Sequence, residues 1–382
     1  MLNHPRSWSD LSSDLLESIF EKLSFADFHR AKLVCSTWNS SSKRTVSRKS
    51  EHPWLILFPD SEENVCLLFN PEEDRIYTTE RDFSKIRFLA NSGKWFLVVD
   101  SGFNLCIIDV FNENRRIDLP PLESLLSSKY SLKRVRDKEF RWGLTSGSCL
   151  EMKTDNLRGL LWVDEKTEEF VVVWFFDPVG YLFFCKKGDT HYTFIPLYDD
   201  VPKLLSGFSD LVLRCYRLYI ATTHRCVRVL DLSGHQGFED VTGSNPRPMF
   251  SLRKYYASFS IAVTTDGEVL LVESTNFENR RSFRFYKKDP NADLNEYSPD
   301  LLEVDSVGDE ALLLDLGIIV PANHTIGIKP NTVYFTRHDR ARLRIPFDLD
   351  ICVFNLATNT LKRFPQLASI NLKDARWFLP FT

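Results

Sequence analysis

The chain has 382 residues, of which 43% are hydrophobic and 26% charged, and this composition is typical of a globular protein and excludes a largely disordered one. Lys and Arg number 48 and Asp and Glu 52, so the formal net charge is −4, which excludes nucleic-acid binding through bulk positive charge. The longest apolar run covers residues 170–176, whereas a membrane helix takes about 20 residues, so we predict a buried strand there and no membrane span.

The N-terminal part of the chain has the periodicity of short helices. One apolar stripe at helical spacing is formed by Leu15, Leu16, Ile19, Phe20 and Leu23. Ser12 precedes the stripe and is predicted to cap the first helix, and a second helical segment begins at Ser24. A unit of about 40 residues buries too little apolar area to be stable alone. We therefore predict that the stripe packs on a partner, and both the rest of this chain and a second protein remain open as that partner.

From about residue 52 the pattern changes to short apolar segments separated by turn sequences. Four segments end in Asn or Asp and are each followed by a polar turn and a second short strand; the four terminal residues are Asn70, Asp109, Asp231 and Asn355. A hairpin repeated in this way indicates a β-propeller. At roughly 40 to 55 residues per blade the length allows five to seven blades, and we predict six. The best helical stretch within this part is Leu122–Lys129.

The N-terminal residues resemble an F-box. The resemblance rests on the aliphatic stripe, on the acidic residues around it, and on the sequence Val34-Cys35-Ser36-Thr37-Trp38. Ser12 stands where F-box sequences usually have Pro, which pre-sets the backbone for the helix start. We expect only a small loss of helix stability, because a Ser side chain can cap the helix instead.

The strand-rich part resembles the C-terminal part of a large plant family of F-box proteins. This part was long a domain of unknown function (number 295) and is now described as a KIB-type β-propeller. The matching segments follow one another in the family's order: His52-Pro53-Trp54-Leu55, Phe69-Asn70-Pro71, Leu119-Pro120-Pro121-Leu122, Asp350-Ile351-Cys352-Val353-Phe354-Asn355-Leu356 and Trp377-Phe378-Leu379-Pro380. The resemblance implies a mainly β protein, with an F-box of three helices at 5–48 and a β-propeller at 52–382.

The resemblance also implies a function. Such a chain is a non-catalytic substrate-receptor subunit of an SCF-type cullin–RING ubiquitin ligase. Its F-box docks on the Skp-type adaptor, and through it on the cullin and RING subunits, while the propeller binds a target protein that is unknown. It needs no cofactor or metal, binds neither nucleic acid nor membrane, and acts in the cytoplasm or nucleus. The adaptor-contact residues that we predict are Leu11, Leu15, Leu16, Ile19, Phe20, Leu23, Val34 and Trp38.

Other functions remain as alternatives. The propeller could bind a protein independently of ubiquitin, with a degenerate F-box. An enzyme would need a catalytic motif, but the eight His residues form no HExxH motif, and Thr264-Thr265-Asp266-Gly267 is predicted to be a hairpin turn. His224 and Cys226 are two potential zinc ligands where a site takes four. We therefore predict no catalytic and no metal site.

Basic and loop segments suggest further roles. Lys43-Arg44 and Arg48-Lys49 are predicted to lie in a polar linker between helices and propeller, with nuclear import as the alternative. The target surface is expected in the long connections at 233–247, 286–298 and 336–348, which include Phe238, Tyr297 and His338. A cluster of Arg340, Arg342 and Arg344 could accept a phosphate group.

Overall fold

The structure is a computed structural model. It describes residues 8–23, 25–31, 34–49, 52–61, 65–79, 81–127, 129–144, 147, 149–177, 181–224, 226–234, 237–241, 257–277, 280–289, 301–322, 328–337 and 349–380. Of the helices in these residues, none combines the length and the apolar character that crossing a bilayer requires.

The N-terminal unit has three α-helices, α1 (Ser13–Phe20), α2 (Phe25–Ala31) and α3 (Ser36–Lys49), after a 3-10 turn at Trp8–Asp10. Ser12 caps α1 as predicted: its side-chain oxygen accepts a hydrogen bond from the backbone N–H of Leu15 at 3.4 Å. The prediction of a polar linker around Lys43 is wrong, because α3 continues to Lys49. No Pro or Gly occurs between Ser36 and Lys49 to end the helix earlier.

The remainder of the chain is built from short strands. The first eleven are β1 (Trp54–Pro59), β2 (Leu67–Asn70), β3 (Arg75–Thr78), β4 (Arg87–Ser92), β5 (Trp95–Val99), β6 (Leu105–Asp109), β7 (Asn112–Asp118), β8 (Leu125–Leu126), β9 (Tyr130–Arg136), β10 (Glu139–Leu144) and β11 (Cys149–Lys153). The next eight are β12 (Leu157–Val163), β13 (Phe170–Phe176), β14 (Leu182–Lys186), β15 (Tyr192–Ile195), β16 (Asp210–Arg214), β17 (Arg217–Ala221), β18 (Val227–Asp231) and β19 (Glu239–Asp240).

The last ten strands complete the chain. They are β20 (Ala257–Val263), β21 (Val269–Phe277), β22 (Arg280–Lys288), β23 (Leu301–Val304), β24 (Glu310–Leu313), β25 (Ile318–Pro321), β26 (Thr332–Phe335), β27 (Cys352–Asn355), β28 (Thr360–Arg363) and β29 (Leu372–Phe378). Short 3-10 turns lie at Thr154–Asn156, Lys203–Leu205 and Pro365–Leu367.

Within the described residues these strands form six sheets. Their strand orders are β29-β1-β2-β3, β4-β5-β6-β7, β11-β10-β9, β12-β13-β14-β15-β8, β16-β17-β18-β19 and β23-β22-β21-β20-β25-β24-β26-β27-β28. Successive antiparallel groups of about four strands are the arrangement of propeller blades, which confirms the predicted fold class. The number of six blades stays a prediction, because the nine-stranded sheet joins two groups through the pairing of Val263 with Ile318.

The repeated strand endings have the role that the sequence pattern predicts. The Asn70 side-chain oxygen accepts the backbone N–H of Glu72 at 3.0 Å. The side-chain oxygens of Asp109, Asp231 and Asn355 each accept a backbone N–H two or three residues onward, at 2.9 Å. Such side-chain turns reverse the chain directly after a strand. They join β2 to β3, β6 to β7, β18 to β19 and β27 to β28.

Two further predictions of secondary structure, one strand and one helix, have different outcomes. The strand predicted at 170–176 is β13, which is buried along its whole length between β12 and β14. The helix predicted at Leu122–Lys129 is wrong: Leu125 and Leu126 form β8, which pairs in parallel with β15. A turn in which the Ser124 N–H donates to the Pro121 carbonyl oxygen at 2.9 Å directs this segment to the sheet edge instead.

Strand β29 brings the end of the propeller back to its beginning. It pairs antiparallel with β1 from Trp54↔Phe378 to Leu57↔Ala375. Asp315 helps to hold it, since its carboxylate accepts the backbone N–H of Thr336 at 3.1 Å and that of Trp377 at 2.8 Å. The side chain is almost fully buried, and burial raises the pKa of Asp315 to about 6.

The pKa of Asp315 predicts a pH effect on stability. An unfolded Asp has a pKa near 3.9, so between pH 4 and 6 the folded chain binds more protons than the unfolded chain, and the contribution of this group to stability falls as the pH rises. We expect the free energy of unfolding of the wild type, relative to that of Asp315→Asn, to fall by about 2 kcal/mol from pH 4.5 to pH 7. Urea unfolding of both proteins at the two pH values measures this change. If the two proteins differ in unfolding free energy by the same amount at both pH values, the raised pKa of Asp315 is contradicted.

Candidate functional site

The helical unit has a small core of its own. Leu16 and Phe20 are 0% exposed and pack with Phe28, Ala31 and Trp38. The Phe20 ring meets the rings of Phe28 and Trp38 edge-on, with centroid distances of 5.4 and 5.5 Å. Three of the predicted contact residues, Leu16, Phe20 and Trp38, therefore hold the helices together.

The adjacent face of α1 is open. Leu15, directly before the buried Leu16, is 56% exposed, and Ile19, one turn further on the same face, is half-buried. Val34, between α2 and α3, is 54% exposed. The expectation that the helical unit cannot cover its own stripe thus holds for Leu15 but not for Leu16 and Phe20.

The remaining predicted contact residues lie between these two groups. Leu11 and Leu23 are half-buried and pack against the edge of the helical core, as does Cys35. We use the name outer apolar face for the exposed or half-buried apolar residues of this unit that we had predicted as contacts, namely Leu11, Leu15, Ile19, Leu23 and Val34. Exposed apolar side chains on so small a helical unit are candidates for contact with another protein.

Trp8 is a functional candidate that the sequence patterns did not single out. Its side chain is 69% exposed, its ring lies edge-on to that of Trp38 at 6.3 Å, and its carbonyl oxygen accepts the Trp38 indole N–H at 2.9 Å. The available signal was a large aromatic residue at the start of the F-box-like segment, before any helical periodicity begins.

The other sequence candidates are placed as follows. Thr264 begins the turn between β20 and β21, and its hydroxyl oxygen accepts the N–H of Glu268 at 2.9 Å, so the predicted hairpin turn is confirmed. Among the described residues, no group of three or more His, Cys, Asp or Glu is arranged to hold a metal ion. Phe238 is half-buried against the core that includes β16 and β17. Tyr297, His338, Arg340, Arg342 and Arg344 lie outside the described residues.

Comparison with known proteins gives concordant matches for both parts of the chain. A family model described as F-box domain matches residues 8–49, and one described as KIB1-4 beta-propeller matches residues 68–355. The F-box protein At2g14290 of Arabidopsis thaliana is 54% identical, with 99% of this chain and 98% of the relative covered. The F-box protein At5g25290 of the same plant is 47% identical, with 98% and 96% covered.

Solved structures give a much weaker likeness. The WD40 domain of SCAP from fission yeast is 9% identical, has a TM-score of 0.34, and is matched over 82% of this chain and 87% of that one. A likeness this low supports no argument about function.

Proposed function

The chain belongs to the family of F-box proteins with a KIB1-4 β-propeller, and on this premise we propose that it is the substrate-receptor subunit of an SCF-type cullin–RING ubiquitin ligase. An F-box implies docking on a Skp-type adaptor. The propeller would bind the target protein. The chain would act in the cytoplasm or nucleus and catalyse nothing itself.

The observation that supports this role is the outer apolar face. Leu15 and Val34 are more than half exposed while their neighbours already fill the helical core. Removing the exposed half of such a side chain from water contributes about 1 kcal/mol. An adaptor that covers this face would therefore supply apolar burial that the small unit cannot make alone, and the contact would be stable enough to purify.

The division of roles among the predicted contact residues follows from burial. We assign direct adaptor contact to Leu15 and Val34, with Leu11, Ile19 and Leu23 at the margin. Leu16, Phe20 and Trp38 act indirectly, by fixing the helices that present this face.

The receptor would work by proximity. Held on the adaptor, the propeller would raise the effective concentration of target lysines near the ubiquitin carrier without any reacting group of its own.

Affinity purification of the full chain from plant cells tests the role. We expect the Skp-type adaptor and the cullin to co-purify, and we expect proximity labelling to mark proteins whose abundance rises when the proteasome is blocked. Recovery of the chain without adaptor and cullin would contradict the proposal. Labelled proteins whose abundance is independent of the proteasome would instead favour a ubiquitin-independent binding propeller.

A further inference from the structure

A half-open cavity with an excess of positively charged residues lies among strands of the propeller. Its volume is about 670 Å³, and residues of β4, β12 and β29 line it together with neighbouring loops. The lining contains seven Lys or Arg residues against three Asp. This local excess of positive charge is notable because the chain as a whole has a formal net charge of −4.

Two arginines of this lining are bound to uncharged groups. Arg87 donates to the carbonyl oxygen of Leu157 at 3.2 Å, and Arg158 donates to the carbonyl oxygens of Asp155 and Leu157, both at 2.8 Å. The Nε atom of Arg158 is buried and has no hydrogen-bond partner. Carbonyl oxygens satisfy N–H groups but do not neutralise a guanidinium charge.

The electrostatics agree with a charge that is only partly compensated. Burial, followed by the proximity of Arg158, lowers the pKa of Arg87 to about 10, against an opposing effect of Asp155. Burial likewise lowers the pKa of Arg158 to about 10, although Asp177, Asp374 and Asp155 act in the opposite direction. Guanidinium groups otherwise keep pKa values above 12, so both environments disfavour the positive charge that these groups carry at neutral pH.

Two further arginines of the lining share one carboxylate. Arg337 and Arg376 are 9% and 8% exposed, and their nitrogens lie 3.1 and 3.7 Å from the same oxygen of Asp374. Buried ions lose their hydration and need close counter-charges to offset that loss. Four arginines thus line one cavity, and two of them share the carboxylate of Asp374.

We propose that this cavity binds a small anion that carries several phosphate groups. The guanidinium fork matches phosphate oxygens in a bidentate manner, and each such bond is charge-assisted. The volume is in the range of small-molecule sites and holds more than one phosphate. The exposed Lys85 and Lys138 stand at the rim, where they would meet the outer phosphates. This site is independent of adaptor binding.

Calorimetric titration of the purified full chain with sodium tripolyphosphate tests the site. We expect saturable binding and a higher melting temperature, because the anion binds the folded state. Arg87→Gln with Arg158→Gln is expected to weaken binding roughly tenfold or more, since it removes two charge-assisted hydrogen-bond donors from the site. Arg136→Gln with Arg217→Gln removes the same charge from exposed positions and is expected to change affinity less than about twofold.

A rim variant covers the case in which the buried arginine variant fails to fold. Lys85→Gln with Lys138→Gln alters two exposed side chains, and we expect tripolyphosphate to bind it severalfold more weakly. The proposal is overturned if the wild type shows no saturable binding, or if the rim variant binds as the wild type does. Displacement of tripolyphosphate by an end-blocked phosphoserine peptide at equal concentration would also overturn it, in favour of a phosphate carried by a target protein.

Discussion

Replacing Leu15 and Val34 together by Asp is expected to weaken adaptor binding roughly 100-fold or more. About half of each side chain is exposed and leaves water when the adaptor docks, which contributes about 1 kcal/mol per residue, and every 1.4 kcal/mol is a factor of ten in affinity. Aspartate at either position would in addition bury a carboxylate without a partner. Because both side chains are more than half exposed in the free chain, the variant should fold normally. Calorimetric titration with the purified adaptor measures the effect.

The matched control is Leu150→Asp. Leu150 is 51% exposed, like Leu15, but lies on β11 in the propeller. This variant should bind the adaptor as the wild type does. Leu16→Asp is unsuitable as a test, because Leu16 is 0% exposed and its replacement would disrupt the helical core itself. Equal affinity of the Leu15/Val34 double variant and the wild type would contradict the assignment of this face to the adaptor.

Trp377→Ala is expected to have the largest effect on the propeller, at about 3–5 kcal/mol of unfolding free energy. Trp377 is 0% exposed on β29, and its ring packs on those of Tyr334 and Phe364 with centroid distances of 5.1 and 5.8 Å. Its indole N–H donates to the Phe335 carbonyl oxygen at 3.1 Å, and the substitution removes this hydrogen bond as well as the ring contacts. Loss of these contacts loosens β29 from β1.

Urea unfolding followed by far-UV circular dichroism measures this loss. Trp8→Ala is the control, because it removes the same side chain from a position that is 69% exposed. We expect Trp8→Ala to lie within about 1 kcal/mol of the wild type. If the Trp377→Ala protein unfolds at the same urea concentration as the wild type, the contacts of Trp377 on β29 do not stabilise the propeller.

The hairpins could be predicted from sequence because their cause is local. Asn70 and Asp109 end buried strands, and their side chains bond the next backbone N–H groups of the turn. Strand, turn and returning strand are then specified within about a dozen residues. Ser12 could be assigned as a cap for the same reason, since its partner Leu15 is three residues away.

The division of the helical stripe could not be predicted. Helical periodicity places Leu15 and Leu16 on nearly the same face, but only the packing of Trp38 from α3 shows that Leu16 points inward. The β8 segment was predicted as a helix because its pairing partner, β15, is more than sixty residues away in the chain. The basic cavity had no sequence signal either, since Arg87, Arg158 and Arg376 lie on strands of three different sheets and come together only where those sheets pack in the folded propeller.

The most direct test of the receptor assignment is the accessibility of position 15 with and without adaptor. In Leu15→Cys, the introduced thiol and the native exposed Cys149 and Cys215 can be alkylated together and resolved by peptide mass spectrometry. Saturating adaptor should slow alkylation at position 15 at least tenfold while Cys149 and Cys215 react at unchanged rates. An unchanged rate at position 15 under saturating adaptor would contradict docking on the outer apolar face.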